Sequence, residues 1–315
     1  MTKRLCLFAG FNKTGRVADY VMYYLRKMAQ LSDVYYWADG ALHPEDEKKL
    51  LAVCKQVWGI PHGRYDFGSW QLLLARLENN CLAQYDELIL CNDSCFGPLW
   101  DIRPLLDSAA QDASCDFWGL SAQPYNYRHF LSSYFLVFKK PVFLSKVFQE
   151  HFRSVRRQNS SQVVVLQYEI PLTFKLRDAG FRPKVLISPA AEEDVYFNWK
   201  RYVRKGLPFI KVKVFTQPHA KTTPVWRFQR FLHKTAPEYP AELINRHIAD
   251  CASSPLRFDF CKYTAYVWNK IKCLRRRTLR LHLTKPYLIS IFGFTLVDTG
   301  PKTEIINTLF RGERK

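Results

Sequence analysis

Apolar runs of strand length alternate with stretches of helical spacing from residue 4 to about residue 188. That alternation limits the chain to an α/β sandwich with a mostly parallel sheet, because parallel neighbours need crossover helices that cover the sheet's faces. Arg4–Gly10 reads as the first strand and ends in the turn Gly10-Phe11-Asn12-Lys13-Thr14-Gly15. Val17–Leu31 places Val17, Val21, Tyr24, Leu25 and Met28 at helical spacing. Asp33–Ala38 is a second strand closing at Asp39-Gly40, Pro44–Cys54 a charged helix and Gln56–Ile60 a short third strand. In HGRYDFGSWQLLLARL, Asp66 or Ser69 is expected to cap a helix from about Trp70 to Leu77.

Tyr85–Pro98 (YDELILCNDSCFGP) is the fourth strand. Leu88, Ile89 and Leu90 form the continuous apolar run of a strand covered on both faces. The strand then delivers Asn92, Asp93 and Ser94, followed by Gly97 and Pro98. Ligands of open α/β sheets sit at the carboxyl ends of strands, and a carboxylate flanked by an amide and a hydroxyl can hold a divalent cation and a diphosphate there. The same three residues also make an ordinary Asx turn, and both readings stand at this point. Asp66, Gly68 and Ser69 lie where a helix begins, a place for backbone N–H groups to meet an anion or for a plain N-cap. Further strands are expected at Asp116–Leu120, Ser133–Lys139 and Val185–Ser188. Helices are expected at Pro141–His151, Gln167–Ala179 (with Pro171 in its first turn and Glu169 at or just before its start) and Pro240–Cys251.

The formal net charge of +19 predicts an anionic partner: nucleic acid, an acidic membrane surface or a phosphorylated substrate. With 48% hydrophobic and 15% aromatic residues the chain is globular and not disordered. Nine cysteines without a CxxC pair give no zinc pattern and read as reduced packing residues of a cytoplasmic protein, Cys91 and Cys95 among them. The N-terminus lacks a cleavage site, so no signal peptide is expected. The longest apolar stretch, Tyr287–Val297, falls short of the roughly 20 residues of a span. From about residue 200 the chain turns basic and aromatic. Residues 255–285 carry nine Lys or Arg against one acid, with Lys272, Arg275, Arg276, Arg277 and Arg280 at the centre. Such a stretch can lie on an anionic bilayer, bind nucleic acid, or be a solvated face. No RRM, KH or helix-turn-helix pattern accompanies it, so nucleic acid is not expected as a partner.

The runs GRYDFGSW (63–70), YDELILCNDSCFGP (85–98), YEIPLT (168–173) and RKGLPFIKVKVF (204–215), in that order, resemble the rhamnan synthesis protein F family of bacterial polysaccharide assembly. LFAGFNKTGRVADYVMYYLRKM looks like the family's first strand and helix. The resemblance covers about residues 4–250. It implies a GT-A-like, Rossmann-type nucleotide-sugar domain over 1–200 and a family-specific part of the same domain over 201–254; the basic aromatic composition of 255–315 marks a helical extension for membrane-surface contact that the resemblance does not reach. It implies a glycosyltransferase that moves L-rhamnose from dTDP-β-L-rhamnose, with inversion, onto a polysaccharide or lipid-linked acceptor at the inner face of the cytoplasmic membrane. A non-catalytic sugar-binding factor on a transferase fold is the alternative.

On that reading Asn92-Asp93-Ser94 stands where a GT-A protein carries Asp-x-Asp, with one carboxylate instead of two. Asp93 is then the candidate metal ligand (Mg or Mn), and the single acid weakens the case for a metal. Asn92, Ser94, Asp66, Gly68 and Ser69 would contact the donor, while Arg64 and Lys13 would offset the diphosphate. Glu169 is the first choice for the base, with Asp194, Glu192 and Glu193 as alternatives. Lys272, Arg275, Arg276, Arg277 and Arg280 would rest on the membrane surface.

Overall fold

A computed structural model describes residues 2–11, 13–187, 198–216, 225 and 227–251, together with the backbone of two later strands. The chain divides into two compact units, Met1–Lys262 and Tyr263–Lys315. In the first, the order is β1 Arg4–Gly10, α1 Asp19–Ala29, β2 Asp33–Ala38, α2 Pro44–Leu51, β3 Gln56–Gly59, α3 Tyr65–Leu82 (broken at Glu78), β4 Glu87–Asn92, β5 Cys95–Phe96 and α4 Arg103–Gln111. There follow β6 Phe117–Tyr125, β7 Arg128–Leu131, β8 Phe135–Lys139, α5 Lys140–Phe143, α6 Lys146–Arg153, α7 Ser161–Val164, a π turn Val165–Glu169, α8 Ile170–Asp178 and β9 Pro183–Ile187. Then come α9 Trp199–Arg204, β10 Ile210–Lys211, α10 Lys213–Thr216, α11 Phe228–Thr235 and α12 Glu242–Cys251. In the second unit the described residues form one antiparallel pair, β11 Ile289–Ile291 with β12 Phe294–Leu296.

The main sheet runs β3-β2-β1-β4-β8-β6-β7, with β9 also on β6. Strands β3, β2, β1 and β4 are parallel, as is the β6–β9 pair. β8 is antiparallel to both β4 and β6, and β7 is antiparallel to β6. This is the expected α/β class with a mostly parallel sheet, and β1 to β4 fall on or near the expected boundaries. The strand order reverses between β1 and β4, so a crevice opens at their carboxyl ends.

Alternate side chains of the central strands enter two cores. Cys6, Phe8, Ile89 and Cys91 pack under α1 through Tyr24, Leu25 and Met28, and α9 to α12 add Trp199, Phe215 and Ile244 on that side. Leu5, Leu7, Leu88 and Leu90 pack under α3 through Phe67, Trp70 and Leu73, with Phe148, Phe152 and Leu176 from α6 and α8. At the far end of the sheet from the crevice, Arg4 and Glu87 form a buried ion pair at 2.7 Å, and Arg4 reaches Asp107 at 2.8 Å. Among the described residues no helix is long and apolar enough to cross a membrane.

Three local expectations are corrected. α3 starts at Tyr65 and not Trp70, with Arg64 at the N-cap position and no side-chain cap. Asp66 and Ser69 are not caps, because their side chains are engaged elsewhere. The expected helix 141–151 is two helices, with Ser145 capping the second through the Phe148 N–H. The expected helix 167–179 begins at Ser161 and runs through the π turn into α8, so Glu169 lies inside a helical run and not at its start. Pro171 offers no N–H to the preceding turn, and the widened π turn directly before it accommodates that loss.

Candidate functional site

The crevice is built from the ends of β1, β2 and β4. After β1, the Phe11 N–H donates to Asp93 Oδ2 at 2.6 Å. The Asp93 N–H donates to Ala9 O, and the Tyr20 hydroxyl from α1 donates to the Asp93 carbonyl at 2.6 Å. The residue after β4 is therefore fixed by both its own peptide and its side chain. Burial pushes the Asp93 carboxyl up to about 7, the Phe11 N–H opposes this, and the nearby Asp66 charge adds to it. Gly10 leaves room for a ring: a Cβ there would lie 2.0 Å from the Tyr36 hydroxyl.

Asn92 works as a two-sided bracket. Its Nδ2 donates to Asp66 Oδ2 at 2.9 Å, and its Oδ1 accepts from the Ser94 hydroxyl and N–H. Asp66 also accepts from the Phe67 N–H in the first turn of α3. Burial raises its pKa, opposed by those two donors and by the charge of Lys211. Glu169 reaches in from the π turn and accepts from the Ser133 N–H at 2.6 Å. Burial raises Glu169 as well; the Ser133 N–H opposes, Asp66 adds, and Lys211 again opposes. The Asp66 charge thus acts on both of the other carboxyl groups, Asp93 and Glu169, which come from separate elements.

Lys211 was assigned no role from the sequence. β10 pairs with β5 so that Lys211 faces Cys95 and Ile210 faces Phe96. The Val212 N–H donates to Ser94 O at 2.9 Å and the Leu99 N–H to Pro208 O at 2.8 Å. The run 207–212 is thereby tied to the turn 94–99. Lys211 Nζ donates to Ser94 Oγ at 3.2 Å and sits 4.0 Å from the centre of the Tyr134 ring.

Asp39, following β2, is the other residue without an assigned role. Its Oδ1 accepts from the N–H groups of His62 and Gly63 at 2.6 and 2.9 Å, drawing the β3–α3 loop to the strand ends. The Arg64 N–H donates to His62 Nδ1, so Nε2 carries the proton and donates to Ser69 Oγ at 3.0 Å. Burial holds the His62 pKa below its ordinary value, with the Asp39 charge opposing and the Arg64 charge adding. Arg157, from the loop after α6, lays its side chain against Gly63, where a Cβ would meet Nε at 3.0 Å.

The structure brings together Asn92, Asp93, Ser94, Asp66 and Glu169. Ser69 is buried and engaged with His62. Gly68 is buried inside α3, where a Cβ would strike the Arg64 Cβ at 2.2 Å and the His62 ring at 2.8 Å. The Arg64 guanidinium is held by Gln71 Oε1 at 2.7 Å. Lys13 is exposed in the β1–α1 loop. Cys91 and Cys95 are buried, Cys91 3.4 Å from Cys6. Glu192, Glu193, Asp194, Lys272, Arg275, Arg276, Arg277 and Arg280 lie outside the described residues.

A divalent ion needs several converging oxygen ligands. Among the described residues no group of three or more His, Cys, Asp or Glu is arranged to hold one. Asn92 Oδ1 is taken by Ser94, and Lys211 places a positive charge on Ser94 itself. The donors among the described residues do not fit a resident metal.

Comparison with known proteins gives one sequence family. A family model described as rhamnan synthesis protein F matches residues 34–290. No curated protein matches the chain. Among solved structures, a glycosyltransferase involved in glycosylation of the major capsid of PBCV-1 is similar over 66% of this chain and 92% of its own, at 10% identity and a TM-score of 0.35. A nucleoside-diphosphate-sugar pyrophosphorylase from Vibrio cholerae RC9 is similar over 60% and 93%, at 13% identity and a TM-score of 0.37. Likenesses at that level assign no activity.

Proposed function

The chain belongs to the rhamnan synthesis protein F family, and from that premise we propose that it is a glycosyltransferase with its donor site at the β1–β4 crevice. The donor is dTDP-β-L-rhamnose and the acceptor a cell-surface polysaccharide or its lipid-linked precursor. The observation that carries this reading is the convergence of Asp66, Asp93 and Glu169 on the carboxyl ends of parallel strands, at the point where the strand order reverses.

In inverting transfer the acceptor hydroxyl loses its proton to a carboxylate as its oxygen bonds to the anomeric carbon. The bond from that carbon to the diphosphate breaks, and its electron pair stays on the phosphate oxygen. Glu169 is the base. Its carboxyl is raised by burial, and Ser133 holds it through its N–H and its side chain. Asp93 binds hydroxyls of the donor, held at one oxygen by Phe11. Asn92 and Ser94 keep the turn in shape. The protein rests on the inner face of the cytoplasmic membrane through its basic residues, without a spanning helix among those described.

The test is turnover of a panel of nucleotide sugars by the purified chain, with product linkage read by NMR. Transfer from dTDP-rhamnose with α-linked product is expected. Folded protein that neither binds nor turns over any nucleotide sugar removes the transferase reading and leaves the non-catalytic sugar-binding alternative.

A further inference from the structure

We infer that Lys211 is the group that binds the donor's diphosphate, so that the site works without a divalent metal; this rests on the transferase reading above. Four observations lead there. The first is position. Lys211 is carried to the crevice by β10–β5 pairing and held on the very turn that follows β4. The second is its partners. Among the described residues its ammonium contacts the Ser94 hydroxyl and the Tyr134 ring face and makes no ion pair. An ammonium has three N–H donors, so donors remain for a ligand.

The third is charge. Asp66, Asp93 and Glu169 would repel a diphosphate, and Lys211 is the cation whose field reaches Asp66 and Glu169. The fourth is the lack of fit for a metal, set out above. A fixed ammonium supplies the same electrostatic service to a leaving diphosphate that a divalent ion would, because both neutralise charge as it develops. The aromatic face holds the ammonium in a partly buried place without cancelling its charge. Ser94, which donates to Asn92 and accepts from Lys211, fixes the lysine's reach relative to Asp66.

Calorimetric titration of the full chain with thymidine diphosphate and with thymidine tests this, in EDTA and in excess magnesium or manganese. Uridine diphosphate and uridine replace them if that base is the one bound. Wild-type affinity for the diphosphate is expected to be the same within about threefold with and without metal, by the logic that no bound ion bridges it. Lys211→Met is expected to weaken the diphosphate roughly 10- to 100-fold, the worth of a hydrogen bond to a charged group, and to leave the nucleoside unchanged. Lys211→Arg should retain most of the affinity. Equal diphosphate binding by wild type and Lys211→Met overturns the inference. So does wild-type binding or turnover that vanishes in EDTA, a result that needs no variant to fold and leaves the transferase reading standing. Absence of any nucleotide binding, with or without metal, overturns both.

Discussion

At the residue scale the proposed site is a set of carboxyl groups whose pKa values burial raises. Asp93 titrates near pH 7 because burial outweighs its bond from Phe11. The folded chain keeps that proton from about pH 4 to about pH 7, while the unfolded chain has already released it. Stability therefore falls as pH rises through that window. The urea midpoint of wild type should drop more between pH 4 and 7 than that of Asp93→Asn, and the difference between the two curves should be flat above pH 8. A difference that grows with pH in the opposite sense refutes the assignment. Glu169→Gln should lower the rate of transfer by about 100- to 10,000-fold at unchanged fold, the usual size of a lost general base; full activity in that variant moves the base elsewhere. Asn92 and Asp93 are singled out by the sequence because a strand end followed by a polar turn has a local signal, whereas Glu169 is singled out at an expected helix start that lies inside a helical run. Lys211 was not. It lies within RKGLPFIKVKVF, but what gives it meaning is a bond to Ser94 across 117 residues. Asp39 and His62 were passed over for a similar reason, since Asp-Gly after a strand reads as a turn.

At the element scale, the α/β class and the first four strands follow from the alternation of apolar runs, while the strand order and the antiparallel β7 and β8 have no local signal. Leu88, Ile89 and Leu90 are fully buried, as a continuous apolar run requires. Helix starts were less legible. α3 opens without a capping side chain, and its acidic residue is bonded to the Asn92 amide. The π turn before Pro171 breaks the 3.6-residue period, so the pattern placed the helix start about six residues late. α4, α9, α10, α11, β5, β7 and β10 are not among the expected elements; β5 and β10 are two residues each and pair with one another. The Arg4–Glu87 pair ties β1 to β4 from within the sheet, with Glu87 Oε1 lacking a hydrogen-bond partner. Arg4→Met should destabilise the fold by roughly 3–5 kcal/mol by stranding the buried carboxylate, and adding Glu87→Leu should recover most of it. Equal stability of Arg4→Met and wild type in urea unfolding would show that the pair is solvated.

At the scale of the whole molecule, a formal charge of +19 on 315 residues is the largest electrostatic fact. Binding to vesicles containing anionic lipid is expected, with sedimentation that falls steeply as salt rises through the screening range. Retention at high salt, or no difference between anionic and neutral vesicles, would sink the peripheral-membrane reading. Resemblance carried more of the function than pattern did, because four motifs far apart in sequence meet at one crevice and no local period records that. The joint of β10 with β5 has a consequence for the order in which the protein becomes itself. At synthesis rates of about 5–20 residues per second, Lys211 leaves the ribosome on the order of ten seconds after Ser94. Until then the nascent chain holds the sheet strands and the acids without that ammonium beside them. A chain truncated between residues 178 and 210 lacks Lys211 and also the residues of α9 to α12 that close one core, so it should bind no diphosphate and unfold more readily than the full chain.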